Sequence, residues 1–280
     1  MAIENADQKA FWERFAEHWV GQQADLDGLM QPVLEGVLQR ADLQPGQRVL
    51  DVGCGTGTSS LRAGEAVGAG GSVTGADISE PMLKRARQAG SHHSNVAFVT
   101  ADVADHAFTP GEFDRVISRF GVMFFVDPLA AFRNVRKSMK PGARLSMACW
   151  SALDANPWFR IPMYAAKDRL GAPPPVDPDA PGPLAFRNID RVRDILDGAG
   201  FTGINATAED LFLTPPGDLD HVSRHAAMIG PASRAIEFFE ASKDDFEAIV
   251  AGVKGSFSAF MHADGARVPA RINFFTATVA

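Results

Sequence analysis

The stretch from Val49 to Ser60, VLDVGCGTGTSS, limits the folds open to this chain more than any other segment. An apolar run closes on Asp51, glycines follow at alternate positions (Gly53, Gly55 and Gly57), and the pattern then suits the start of a helix. Glycine permits positive φ and lets a ligand lie against bare backbone. The free N–H groups at a helix start favour an anionic ligand group. The segment therefore predicts a strand–turn–helix unit that binds a nucleoside-type cofactor carrying a carboxylate or a phosphate.

The spacing of the glycines distinguishes between such cofactors. A dinucleotide site needs G-x-G-x-x-G with the pyrophosphate on the helix start, but Thr58 and Ser60 stand where the third glycine should fall. The Asp51 carboxylate would also repel a pyrophosphate, whereas it suits an ammonium group. S-adenosylmethionine (SAM) has an ammonium, a carboxylate, a sulfonium and a ribose but no phosphate. SAM therefore fits better, and a nicotinamide-dependent dehydrogenase is the weaker alternative.

Polar residues also close the following strands. Asp77 ends the second strand, where an acidic residue is placed to accept both ribose hydroxyls. Ile78 and Met82 can flank an adenine ring, and the Asp102 carboxylate can accept its amino group. Ligands of such sheets bind at the carboxyl ends of the strands, so these side chains should share one crevice. The predicted cofactor-binding residues are Asp51, Gly53, Cys54, Gly55, Gly57, Asp77, Ile78, Met82, Ala101, Asp102, Val103 and Ser118.

The segments VLDVGCGTG, GADIS-PML, FD-V-S and KPGARL together resemble the motifs of the class I SAM-dependent methyltransferases. The resemblance covers roughly residues 43–150 and is nearest to the small-molecule methyltransferases of ubiquinone and menaquinone biosynthesis. It implies an α/β, Rossmann-like sheet that is mostly parallel, with an antiparallel last strand and helices on both faces. It also implies that SAM donates a methyl group to an O, N, S or C atom of a small-molecule acceptor, leaving S-adenosylhomocysteine. A SAM-binding regulator without turnover stays open as an alternative, because a fold does not fix a function.

Three parts are expected along the chain: an N-terminal helical lid (1–43), a SAM-binding core (44–150), and an acceptor-side insertion with a helical segment and the last strands (151–280). Proline-rich residues 151–187 are predicted to be extended loop rather than helix. Residues 139–144 are predicted to be a helix end and turn, and residues 218–262 to be mainly helical. Strands are expected at 49–52, 72–76, 96–100, 113–118, 145–150, near 203–209, and at 271–279.

The acceptor pocket is expected to be aromatic, because an apolar, water-poor site favours methyl transfer to an anion. The residues proposed for it are Trp12, Trp19, Phe120, Met123, Trp150, Trp158 and Tyr164. A weakly acidic acceptor would need a general base, usually histidine. The candidates are His18 on the lid, and His221 and His225, one helical turn apart. Arg119 could pair with an anionic acceptor or cap its strand.

The amino-acid composition limits the binding partners, metals and cellular location expected for the chain. The net charge is −7, from 27 basic and 34 acidic residues, which argues against a nucleic-acid partner because that usually requires a basic stripe. The two cysteines, Cys54 and Cys149, do not form a disulfide framework. The His221/His225 pair lacks a third ligand, so no metal is expected. The polar N-terminus and the lack of a long apolar run predict a cytoplasmic protein without a membrane span. The oligomeric state stays open.

Overall fold

The computed structural model describes residues 10, 12–13, 16 and 19–280. A seven-stranded sheet forms its centre. Its strands are β1 (Arg48–Val52), β2 (Ser72–Asp77), β3 (Val96–Thr100), β4 (Phe113–Arg119), β5 (Met139–Trp150), β6 (Thr202–Leu213) and β9 (Val268–Thr278). They lie in the order β3-β2-β1-β4-β5-β9-β6; β1 to β5 pair in parallel, and β9 runs antiparallel between β5 and β6. The predicted Rossmann-like sheet with one antiparallel strand is confirmed.

Helices alternate with the first five strands and then gather after β5. They are α1 (Gln23–Ala41), α2 (Thr58–Val67), α3 (Glu80–Ala89), α4 (Pro128–Ser138), α5 (Pro157–Leu170), α6 (Ile189–Gly198), α7 (Leu219–Ala227), α8 (Pro231–Phe238) and α9 (Lys243–Phe257). A short hairpin, β7 (Met261–His262) with β8 (Gly265–Ala266), precedes β9. In the part of the chain that the structure describes, no helix is both long and apolar enough to span a membrane.

The order of the strands places the site. β1 lies between β2 and β4, where the order of the sheet reverses. The reversal opens a crevice at the carboxyl ends of these strands, because their helices leave toward opposite faces. The fully buried Ser118 hydroxyl donates to the Val52 carbonyl across the β1–β4 seam (2.8 Å). This bond holds the two strand ends at a fixed separation on either side of the crevice.

Helix α1 carries its first turn over the same edge of the sheet. Its buried side chains, including Leu29, Val33 and Val37, repeat at helical spacing and pack on the sheet. Ser146 of β5 donates to the Val37 carbonyl (2.9 Å), and the Arg40 guanidinium stacks over the Phe274 ring at 4.0 Å. The C-terminal half of α1 is thereby fixed, and its N-terminal turn faces the glycine loop.

The prediction that residues 151–187 are extended loop is wrong for part of that segment. Residues 157–170, expected to be loop, form helix α5. Pro157 stands in its first turn, where a missing N–H costs nothing, and Trp158, Pro162 and Ala166 form a buried stripe at helical spacing. Burial of this stripe outweighs the loss of one helical hydrogen bond at Pro162.

The start of β5 also differs from expectation. The strand begins at Met139, where a helix end and turn were predicted, and it pairs Met139 with Phe113. At the predicted turn the strand is irregular: the register of the β4–β5 pairing shifts between Phe113 and Arg115, and Gly142 has a φ of +75°. Residues 218–262 are mainly helical as expected, apart from the β7–β8 hairpin.

Candidate cofactor and acceptor site

The glycine loop joins β1 to α2 at the centre of the crevice. Gly53 packs directly on Gly121 of the loop after β4: a Cβ on Gly53 would lie 2.6 Å from the Gly121 Cα. Gly55 faces open space instead, since a Cβ there would meet only the Met82 sulfur at 3.7 Å, although its φ is +54°. The first glycine therefore closes the fold, and the second keeps a surface free for a ligand.

Asp51 is fully buried beneath this loop. Its Oδ2 accepts hydrogen bonds from the hydroxyls of Ser59 (2.5 Å) and Ser60 (2.7 Å), both in the first turn of α2. Its Oδ1 is buried and has no hydrogen-bond partner among the described residues. Burial raises the pKa of Asp51 to about 6, although the two serines and the nearby Arg119 charge oppose that rise. A buried, unsatisfied carboxylate oxygen is costly unless a ligand supplies a donor.

Asp77 holds the loop from the end of β2. Its Oδ2 accepts the Gly55 N–H (2.8 Å) and its Oδ1 accepts the Ser79 N–H (2.9 Å). Burial raises the pKa of Asp77, and the backbone N–H groups bonded to it work against that rise. Asp77 therefore supports the glycine loop through both of its carboxylate oxygens.

Arg119 is the last residue of β4, and Asp77 is the last residue of β2 on the other side of β1. Its Nη2 contacts Asp27 Oδ1 of α1 at 3.3 Å, and the Thr58 hydroxyl donates to Asp27 Oδ2 (2.7 Å). The side chains of Arg119 and Asp27 are only 16% and 24% exposed. Arg119 Nη1 is buried and, within the described ranges, has no partner. Among the described residues, Arg119 Nη1 and Asp51 Oδ1 are thus two buried polar atoms without partners, and the Arg119 charge lowers the pKa of Asp51.

A row of aromatic rings leads away from the carboxyl ends of β4 and β5. Phe120 stacks on Trp150 at 4.8 Å between ring centroids, and Trp150 contacts Phe159 at 4.5 Å. Phe120 has a φ of +65°, an unusual conformation for a bulky residue, and it presents this ring to Trp150. In the segment that follows β4, Phe124 packs edge-on against Trp12 (4.8 Å). Phe120 and Phe124 are part-exposed, whereas Trp150 and Phe159 are each only 2% exposed, so Trp150, predicted to line the acceptor pocket, lies in the hydrophobic core.

The two C-terminal histidine candidates lie on α7, which packs on α5. His225 is buried against the Trp158 ring at 5.6 Å. His221 is half-exposed, its ring lies 6.4 Å from that of His225, and its Nε2 is 2.9 Å from Asp25 Oδ2 of α1. His18 lies outside the described residues.

Comparison with known proteins decides the family. A family model described as a methyltransferase domain matches residues 49–142. Nocamycin O-methyltransferase of Saccharothrix syringae is 31% identical over 195 residues, which cover 66% of this chain and 70% of that protein. The chain belongs to the class I SAM-dependent methyltransferases. Membership of this family leaves no support for the dehydrogenase alternative.

Other relatives of this methyltransferase share shorter segments or the fold alone. Demethylmenaquinone methyltransferase of Staphylococcus epidermidis is 36% identical over 106 residues. The match covers 38% of this chain and spans only 44% of that protein's length. A Haemonchus contortus phosphoethanolamine N-methyltransferase 2 complex superposes with a TM-score of 0.55 at 20% identity, covering 89% of this chain and 52% of that one. The [4+2]-cyclase SpnF gives 0.54 at 20% identity, covering 89% and 80%.

The residues of the crevice fit SAM. The amino-acid end of SAM is a zwitterion, and the site offers an unpaired Asp51 Oδ1 for the ammonium and an unpaired Arg119 Nη1 for the carboxylate. Asp77 and Asp102 lie beyond the glycine loop with part-exposed side chains suited to the ribose and the base. Met82 and Val103 are buried, and Ile78 is part-exposed beside them. The residues present therefore match the chemistry of SAM: charged groups for its amino-acid end, carboxylates for its ribose and base, and apolar side chains beside them.

The structure gives some predicted residues a different setting from the one expected. The Ser118 hydroxyl is used in the β1–β4 seam, and Cys54 is buried with its thiol pKa raised by that burial. Trp158 is fully buried, and its ring contacts His225 and Phe257. Tyr164 lies on α5 with 46% of its surface exposed. Met123, Trp19 and Ala101 pack in or against the hydrophobic core.

Several residues that build the crevice were not predicted. Ser59 and Ser60 hold the buried carboxylate of Asp51, yet in the sequence Ser60 counted only as a missing glycine. Two hydroxyl residues in the first helical turn after a strand that ends near an aspartate could have predicted hydrogen bonds to that carboxylate. Asp27, which lies 92 residues before Arg119, carries no local signal at all.

Substitution of Gly55 tests the open face of the loop. We expect Gly55→Val to abolish detectable SAM binding while the chain stays folded, because the side chain fills the ligand's space without a protein clash. The positive φ alone should cost about 2 kcal/mol of stability. Gly111→Val is the matched control, since Gly111 has a φ of +64° with no atom within 4 Å and lies outside the site. Calorimetric titration and thermal unfolding measure both; equal SAM affinity in the two variants contradicts the assignment.

Proposed function

We propose that this methyltransferase transfers the methyl group of SAM to a small-molecule acceptor held beside the ring of Phe120. The observation that carries the proposal is that, among the described residues, the buried Asp51 Oδ1 and Arg119 Nη1 have no partner, and that the part-exposed ring of Phe120 lies directly after Arg119. The crevice suits the donor, and the ring suits an organic acceptor. The similarity to proteins named as an O-methyltransferase and a demethylmenaquinone methyltransferase supports a small-molecule acceptor.

In this proposal the protein binds the two reactants, orients them and excludes water from them. SAM supplies a methyl group already activated by its sulfonium. Asp51 and Arg119 hold the amino-acid end of the cofactor, and Asp77 holds the ribose, so that the methyl group faces the acceptor. Alignment of this kind can lower a barrier by roughly 7–11 kcal/mol. The ring of Phe120, stacked on Trp150, keeps water from the reacting atoms.

The N-terminal segment completes the proposed site as a lid. Trp12 reaches Phe124, and Asp27 near the start of α1 bonds to both Arg119 and Thr58 beside the loop. The division into lid (1–43), core (44–150) and acceptor-side part (151–280) follows from these contacts as a proposal. A cytoplasmic site of action and the absence of a nucleic-acid partner rest on composition and remain predictions.

Release of S-adenosylhomocysteine tests the function. The purified chain is incubated with SAM and with phenols, thiols, amines and quinols, and the product nucleoside is measured. We expect release with at least one class, and that class identifies the acceptor atom. SAM binding without release for any class supports the non-catalytic regulator instead. Gly55→Val serves as the negative control, because any release that it retains does not come from this site.

A further inference from the structure

Strand β6 forms one edge of the seven-stranded sheet, with β9 on one side and no strand within residues 19–280 on the other. It is 12 residues long, and its pairing with β9 is regular over residues 205–213, after a register shift near its start. An edge strand presents a row of unpaired N–H and C=O groups, and proteins usually protect such edges with lysine, proline, a bulge or a short strand. The regular part of β6 contains no lysine or proline. Its outer edge is therefore open to pairing with another strand.

The hydrogen bonds of β9 show which backbone groups of β6 point outward. The Arg271 N–H donates to Asn156 Oδ1, and the Arg271 carbonyl accepts the Ser151 N–H, so odd-numbered residues of β9 turn their backbone groups toward β5. Directions alternate along an antiparallel strand, so the even-numbered residues of β9 bond to β6, where they meet odd-numbered residues. The even-numbered residues of β6 therefore point their N–H and C=O groups outward. The Arg193 guanidinium of α6 donates to one of these groups, the Ala206 carbonyl (3.3 Å).

The two acidic side chains of β6 already have basic partners within the chain. Glu209 binds Arg40 of α1, so the odd-numbered side chains face α1. Asp210, on the other face, lies opposite Arg271 of β9 and 3.5 Å from it. Helix α6 packs on β6 and α4 rather than on α1, so it covers the face that carries Asp210. These ion pairs leave little charge on the edge to repel another strand.

The register in which two copies of β6 can pair is narrowly limited. A twofold axis perpendicular to the sheet makes the two strands antiparallel and passes through one residue of each. An axis at Glu209 or Asp210 would set like charges directly opposite each other. An axis at Ala208 avoids this and pairs residues 205–211 of the two copies, whereas an axis nearer the start of the strand pairs fewer. Asp210 then lies opposite Ala206 of the second copy, with about 5.5 Å between the Cα atoms.

The same register brings opposite charges together. Arg193 holds the Ala206 carbonyl, and Asp210 of the second copy arrives opposite that carbonyl on the face that α6 covers. The backbone N–H of this Asp210 takes over the carbonyl, which releases the guanidinium to bind the carboxylate. Symmetry repeats the pair on the other side of the axis. Phe212, which is 55% exposed, comes beside the part-buried Ile204 of the second copy.

We propose that β6 is the interface of a homodimer, in which two copies of the chain join their sheets by antiparallel β6–β6 pairing centred on Ala208. Arg193 of each copy pairs with Asp210 of the other. The interface lies at the sheet edge, separated from β4 by β5 and β9. Each copy therefore keeps its own cofactor crevice, and the proposal does not depend on the identity of the acceptor.

Sedimentation velocity of the purified chain and of Ala208→Pro is the first test. We expect the unaltered chain to be a dimer at micromolar concentration. The Ala208 N–H points outward, so proline at this position removes no hydrogen bond of the fold, and proline is tolerated at such edge positions. Both N–H···O bonds on the axis are lost, so the dimer dissociation constant should rise by roughly 100-fold or more. The SAM affinity of the variant, measured by calorimetry, should be unchanged.

Reversal of the charges tests the ion pair. We expect Arg193→Asp and Asp210→Arg each to weaken the dimer by roughly tenfold, because like charges then face each other across the interface. The double variant restores opposite charges, so its dissociation constant should return to within about threefold of the original. Losses that simply add in the double variant would show that the two side chains do not meet.

Cysteine cross-linking tests the register without proline. Ala208→Cys places two thiols on the axis with about 5.5 Å between the Cα atoms, a distance that a disulfide spans. Phe212→Cys is the matched control on the same strand, since its two copies would lie about 27 Å apart. The native Cys54 and Cys149 are buried. We expect mild oxidation to give a covalent dimer in Ala208→Cys and none in Phe212→Cys.

The outcomes separate this interface from other surfaces. A monomer at every concentration overturns the proposal and leaves the edge to a strand of another protein or to solvent. A dimer that persists in folded Ala208→Pro is held by a different surface and also overturns it. If Ala208→Pro does not fold, the cross-linking decides: equal disulfide formation in the two cysteine variants contradicts the register.

Discussion

Arg119→Met is expected to weaken S-adenosylhomocysteine binding by roughly 10- to 150-fold, the loss of one charge-assisted hydrogen bond. The reason is the buried Nη1 of Arg119, which lacks a partner in the described chain although Nη2 is held by Asp27. A carboxylate from the ligand satisfies that N–H in a site shielded from water. The measurement is a calorimetric dissociation constant for the variant and the unaltered chain.

A second ligand separates recognition from misfolding. 5′-Methylthioadenosine keeps the adenine, ribose and sulfur of the cofactor but lacks its amino-acid end. Its affinity should change by less than about threefold in Arg119→Met, because the lost interaction is absent from this ligand. Arg115→Met is the matched control: Arg115 lies on the same strand, and its guanidinium donates to the Ala41 carbonyl, away from the crevice. If both ligands lose affinity equally, Arg119 does not bind the carboxylate.

The parts of the fold that sequence could predict are those set by short-range pattern. An apolar run closed by an acidic residue predicts Asp51 and Asp77 at strand ends; Asp77 is the last residue of β2, and Asp51 is the last but one of β1. The alternation of such runs with helical segments predicts parallel strands, since parallel pairing requires a crossover. These features depend on a few neighbouring residues, so a single sequence carries them.

The parts that sequence could not predict depend on distant pairs or on burial. Asp25 and His221 are separated by 196 residues, and nothing local relates them. Helix α5 was missed because proline content argued for loop, while the buried stripe that stabilises the helix exists only after α7, α8 and α9 have packed on it. The interpretation of Arg119 was open between an acceptor partner and a strand cap. Its orphaned Nη1 and its bond to Asp27 instead favour the cofactor carboxylate.

The affinity for SAM is expected to fall as the pH is lowered through about 6, by up to tenfold per pH unit, because Asp51 must be ionised to hold the ammonium. Burial raises the pKa of this carboxyl from 3.8 to about 6 in the free protein. A bound ammonium next to Oδ1 favours the ionised form, so binding must expel the proton at low pH. Titrations between about pH 7.5 and 5 measure the slope.

Folding stability gives the opposite sign for the same group, so the two effects can be separated. The pKa of Asp51 is raised in the folded state, so its contribution to stability is complete below 3.8 and is lost as the pH rises to about 6. Titration of Asp51 on acidification therefore does not unfold the chain, and weaker binding at low pH reports the site. Asp51→Asn should bind SAM weakly at neutral pH and show no slope, while 5′-methylthioadenosine should bind the unaltered chain equally across the range. A slope that persists in Asp51→Asn assigns the titration to another group and removes Asp51 from the ammonium site.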